Sequence, residues 1–181
     1  MNITDQFIDN LYDLSKKVLN DEDVLHSKKC FLDYIGVTLA GAKEYYDIEE
    51  VLLATGLSEG GTFAVLGHNK IVSGPVAALI NGISAHAVEL DDGQRFGNIH
   101  LGAPVISSLL PMAQYNELTI SSLWKGVKLG YESTIRLACC IQPGHKLKGF
   151  HATGPCGTIG ATMAIAGMLG YTKGLFIKLL R

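Results

Sequence analysis

Two histidines and three carboxylates crowd the stretch from Asn81 to Gly102: His86, Glu89, Asp91, Asp92 and His100. In a chain with only 18% charged residues, such a cluster points to chemistry. Buried carboxylates cost free energy unless paired or hydrogen-bonded, and an imidazole beside them is suited to acid–base work near neutral pH. A second island, Gly144 to Gly154, adds His145, His151, Lys146 and Lys148. One site built from both segments would offer an acid, a base and cations to an anionic substrate.

Each of these groups also has a plainer reading. Asp91-Asp92-Gly93 reads as a turn, because aspartate bonds the backbone that follows it. Against this, a helix ending near Leu90 places His86 and Glu89 three apart on one face, where the side chains can meet and the carboxylate can set the imidazole's tautomer. Two histidines with carboxylates can also bind zinc, iron or manganese, but their spacing matches no metal motif and no metal is assigned. Lys146 and Lys148 read equally well as a solvated basic loop. His151, just before Thr153-Gly154 and an uncharged segment, stands where a helix N-terminus could hold an anion. His26 and His68 are given no role.

The elements that must position these groups read as helices. Phe7, Ile8, Leu11, Leu14 and Val18 recur at helical spacing behind Thr4, predicting a capped amphipathic helix over 4–19. A second helix is expected over 22–39, with Leu25, Phe31, Leu32, Ile35 and Leu39 inward and Gly41 as its stop. A short third covers 46–54, and Thr62 to Gly67 has a strand-like look but no evident partner. Beyond Ser73, a cap with Pro75 in the first turn, a helix over 76–88 runs into the acidic cluster. Helices over 103–115, 121–141 and 158–169 complete about seven. The pattern predicts an all-α multi-helix bundle forming one domain.

Composition narrows the function. Hydrophobic residues make up 48% of 181, an apolar balance that implies surface covered within the fold or by a partner. A net charge of −2 gives no basic field for a phosphate backbone, so nucleic-acid binding is not expected. Cys30, Cys139, Cys140 and Cys156 show no C-x-x-C spacing, and the N-terminal residues lack the basic start and apolar block of a secretory leader, so a cytoplasmic location is expected. Ala152 to Thr172 carries no charge, yet its glycines and threonines make it a poor membrane span and a better buried helix.

Asn81-Gly82, His86, Asp91-Asp92, His100-Leu101-Gly102, Gly130-Tyr131-Glu132 with Arg136, and Gly149 to Gly154 together resemble the N-terminal region of the MmgE/PrpD family, which includes 2-methylcitrate dehydratase and cis-aconitate decarboxylase. Order and spacing agree as far as about Tyr171, and residues 173–181 drift from the pattern. The resemblance implies a helical domain over 1–181, a homodimer, and cofactor-free lyase chemistry on a tricarboxylic acid. Glu89 stands where the family more often has Asp, Gly93 where it has Thr, and Leu101 where it has Pro.

The resemblance further implies His100 and His151 as acid and base, aided by Asp91 and Asp92. Glu89, His86, Lys146 and Thr153 would bind substrate. Family members run to more than twice this length, through a lysine-bearing loop and a lid domain, so a truncated member without the lid is expected. A non-catalytic helical remnant that works only as a dimer or with a partner is the alternative.

Overall fold

The computed structural model describes residues 2–44, 50 and 60–180. Among these, eight helices and two short hairpins are found: α1 (Ile3–Lys16), α2 (Asp21–Glu44), β1 (Phe63–Ala64), β2 (Ile71–Val72), α3 (Gly74–Ala87), β3 (Gly93–Gln94), β4 (Ile99–His100), α4 (Gly102–Tyr115), α5 (Ile120–Ile141), α6 (Gly144–Leu147), α7 (Thr153–Met168) and α8 (Lys173–Leu180). The all-α expectation holds. Except for Glu50, the helix expected over 46–54 falls outside the described residues.

Local chemistry sets most boundaries. The cap of α1 is Asn2 rather than Thr4, its Oδ1 accepting the Asp5 amide at 2.8 Å, and α1 ends before Val18, which is solvent-exposed. Thr119 caps α5 by accepting the Ser122 amide. Ser73 does occupy the N-cap of α3 ahead of Pro75, but its hydroxyl makes no capping bond.

Helix α2 corrects the sequence reading most. It continues through Gly41, which is not a stop but a contact point: a Cβ there would lie 2.0 Å from the Ser84 carbonyl oxygen of α3. Only glycine lets the two backbones come this close. Leu25, Leu32 and Leu39, expected inward, are exposed, and the helix buries Ser27, Tyr34, Thr38, Gly41 and Ala42 instead. A face of small and hydroxyl-bearing residues packs closely enough here to replace the leucine stripe that periodicity favoured.

The apolar segment 152–172 is α7, and it begins five residues earlier than expected. It lies against α5 through glycines; a Cβ on Gly160 would sit 1.7 Å from Thr134 Oγ1 and 3.1 Å from the Gly130 carbonyl oxygen. Around this pair lies the main core, with Tyr34, Val105, Ile106, Leu109, Trp124, Val127, Ala164 and Met168. Burial pushes the Tyr34 phenol up to about 12, so it stays protonated, bonded to Ser107 Oγ at 2.7 Å. No helix among the described residues is long and apolar enough to cross a membrane.

The segment after Tyr171, read as drifting from the family pattern, is helical. It forms α8, whose Phe176 is fully buried with Ile8, Leu11 and Met163, tying α1 to α7. The strand-like stretch near Phe63 finds its partner in Ile71–Val72. A second hairpin pairs Gly93 with His100 and Gln94 with Ile99.

Candidate active site

Four elements deliver the chemical groups to one place. His86 leaves the last turn of α3. Glu89 follows with φ of 53°, a left-handed conformation that costs a non-glycine residue about 1–2 kcal/mol and ends the helix sharply. Asp91 and Asp92 then turn the chain into the β3–β4 hairpin, which ends on His100. His151 stands just before α7. The amide of His100 donates to Thr153 Oγ1 at 3.0 Å, fastening the hairpin to the start of α7.

The result is a triad of imidazoles. Ring centroids lie 4.7 Å apart for His86 and His100, 6.3 Å for His86 and His151, and 6.4 Å for His100 and His151, the last pair nearly parallel at 11°. Beneath them is Asp91, its side chain 2% exposed. Its carboxylate takes His86 Nδ1 at 3.0 and 3.1 Å, and its Oδ1 stands 3.3 Å from His100 Nδ1. Glu89 Oε1 is 3.4 Å from His86 Nε2. His86 thus has a carboxylate oxygen near each ring nitrogen.

Asp92 faces the other way. Its Oδ1 accepts the amides of Leu101 at 3.3 Å and Gly102 at 2.8 Å, and its Oδ2 accepts the Tyr131 hydroxyl at 2.5 Å. Burial, followed by the charge of Asp92, holds the Tyr131 phenol well above its ordinary range, so it remains a donor. Desolvation, and then Asp92 again, raises the Asp33 carboxyl; the Cys30 thiol is raised in the same order of causes.

Of the groups expected from sequence, His86, Glu89, Asp91, His100 and His151 converge, and Asp92 and Thr153 anchor backbone beside them. Lys146 does not join: it lies exposed on α6, and among the described residues no hydrogen bond or ion pair links its side chain to the rings. Arg136 pairs with Glu132 at 2.9 Å on the exposed face of α5. Sequence reasoning missed Asp33, whose place one helix away gave no signal, and assigned no role to Tyr131, although that residue lay within the resemblance.

Next to His86 an open groove of about 570 Å³ runs between α3 and α4, walled by Leu79, Gly82, Ile83 and Pro104 and reaching Thr153. Nitrogen and oxygen atoms of His86, Glu89 and His100 lie within 4.8 Å of one another, close enough to converge on a divalent cation. With Asp91 behind both Nδ1 atoms, that set resembles the carboxylate–histidine pairs that orient metal ligands.

The family model of the MmgE/PrpD N-terminal domain matches residues 6–180, extending through α8, beyond the Tyr171 limit read from sequence. No curated protein matches the chain.

Proposed function

The chain belongs to the MmgE/PrpD family, and from that premise we propose that its imidazole triad binds a small polycarboxylic acid and eliminates water from it. In this reading one of His100 and His151 takes the proton from the carbon beside a carboxylate. The other protonates the departing hydroxyl, so that water leaves and a carbon–carbon double bond forms. Ring centroids 6.4 Å apart put both imidazoles within reach of one such substrate, and neither proton transfer requires an oxidant or a reductant. Asp91 lies against the His86 and His100 rings. Helix α7 begins with no charged residue and no side-chain cap, so its N-terminal dipole end favours a carboxylate.

The observation that carries this reading is the meeting of His100 and His151, brought from separate segments to ring centroids 6.4 Å apart. The test follows the absorbance of the unsaturated acid formed from 2-methylcitrate or citrate by the purified chain. His151→Ala is expected to lower the rate by about 10²–10⁴, the usual worth of a general acid or base. An unchanged rate would remove His151 from the mechanism. Binding of the acid without any turnover, restored by no added ion, would instead support the partner-dependent binding module.

One observation favours a second reading: the convergence of His86, Glu89 and His100 suits a metal-assisted lyase or hydrolase. Elemental analysis of active protein decides it, since activity without stoichiometric metal excludes the ion.

A further inference from the structure

We propose that Tyr131 is a positioning residue that sets the working geometry of His100 and Asp91 through Asp92. The inference rests on His100 as a site residue, but not on which acid the site takes.

Asp92 is the joint between the hairpin and the bundle. The two amides it accepts belong to Leu101 and Gly102, the residues directly after His100, so its carboxylate fixes where β4 stops and α4 begins. Its neighbour in the chain is Asp91, the group under both imidazoles. Any rotation or shift of Asp92 therefore moves His100 from one side and Asp91 from the other.

Among the described residues, the one side chain that hydrogen-bonds the Asp92 carboxylate is Tyr131, and it does so from the rigid middle of α5 at 2.5 Å. A carboxylate with two amides on Oδ1 and a phenol on Oδ2 cannot turn without breaking one of these bonds. The surroundings leave little slack. A Cβ on Gly102 would lie 3.3 Å from Asp92 Oδ1 and 3.4 Å from the Tyr131 hydroxyl. Asp33 presses on Asp92 with like charge and is raised by it, so without the phenol the Asp92 carboxylate would face that repulsion with an unsatisfied oxygen.

Tyr131 itself reaches no substrate-facing ring in the contacts above. From behind, its hydroxyl is met by the Cys30 thiol, and its ring helps line a separate groove of about 380 Å³ with Asp23, Lys128 and Glu132. Its ring packs with Ile99, Leu101 and Ala152, and its hydroxyl acts on the site through Asp92.

The test is Tyr131→Phe, which removes one oxygen and keeps the ring, read by nuclear magnetic resonance of the imidazole protons and by citrate titration. The expected result is displaced His86 and His100 signals, a His151 signal that stays in place, and citrate affinity weaker by about tenfold, the equivalent of one lost charge-assisted bond. Asp92→Asn, which breaks the same link from its other end, should displace the same two signals. Adding Tyr131→Phe to it should displace them no further. If Tyr131→Phe fails to fold, Asp92→Asn alone decides.

Unmoved His86 and His100 signals in a folded variant overturn the proposal. A wild-type chain that binds no citrate undermines the polycarboxylate reading while leaving the imidazole signals to judge Tyr131.

Discussion

Asp91→Asn tests most directly whether one carboxylate organises the site, and the geometry fixes its effect. The two nitrogens it serves share mainly Oδ1, at 3.0 Å from His86 Nδ1 and 3.3 Å from His100 Nδ1, while Oδ2 lies 3.1 Å from His86 Nδ1. An asparagine that keeps its oxygen at the Oδ1 position sets its NH₂ against the His86 Nδ1–H, donor to donor. The opposite orientation places the NH₂ nearest both Nδ1 atoms and leaves His86 Nδ1 the oxygen at 3.1 Å. Neither orientation reproduces the native arrangement. The loss is that of a charge-assisted bond, about 1.5–3 kcal/mol, or roughly ten- to a hundredfold in polycarboxylate affinity. A general acid or base driven into the wrong tautomer costs a further 10²–10⁴ or so in rate. Long-range proton–nitrogen spectra of the ring nitrogens report the tautomers, and calorimetric titration with citrate reports affinity. Unchanged tautomers together with an unchanged affinity would show that Asp91 is not the organising group.

Three further outcomes follow from the packing and the charges. Gly160→Ala, whose methyl meets Thr134 Oγ1 at 1.7 Å, should destabilise the bundle by about 1–3 kcal/mol or more; an unchanged urea midpoint would contradict the close α5–α7 approach. The Asp33 carboxyl is raised on folding, so its ionisation opposes the folded state. Asp33→Asn should therefore match the wild type below the ordinary carboxylate pKa, gain stability as pH rises, and show the full gain above the raised native value, as denaturation at several pH values would reveal. The hydrogen bond from Lys128 at 2.6 Å holds the Asp23 carboxyl below its ordinary range. Lys128→Met should cost about 0.2–1 kcal/mol at neutral pH, a difference that disappears as pH falls through the lowered value and Asp23 becomes protonated.

What the sequence disclosed and what it withheld divide along a physical line. Apolar periodicity and caps located α1, α3, α4, α5 and α7 to within a few residues, because those signals are local to each helix. The same signals misjudged α2, where Gly41 against Ser84 and a face of small residues replace the leucine stripe, since close approach depends on a partner helix rather than on period. They also left α8 unread, because Phe176 finds its place only against α1 and α7. Two-residue strands such as Gly93–Gln94 and Ile99–His100 are too short to leave any alternation, so the hairpin that carries His100 could not be foreseen.

The site shows the same division more sharply. Residue types and spacing were enough to nominate His86, Glu89, Asp91, His100 and His151, because titratable groups are rare in so apolar a chain. The assignment of work between two adjacent aspartates was beyond that signal. Asp91 turns to the imidazoles and Asp92 to backbone amides and Tyr131, and only the fold, which brings α5 to the hairpin across 39 positions of sequence, separates them. Nor could spacing show that Lys146, a few positions before His151, lies exposed on α6. The chemistry of this chain is legible in which residues it keeps, while their division of labour is fixed by long-range hydrogen bonds. The Tyr131–Asp92 link and the His100–Thr153 bond are the long-range contacts by which α5 and α7 hold the hairpin that carries His100.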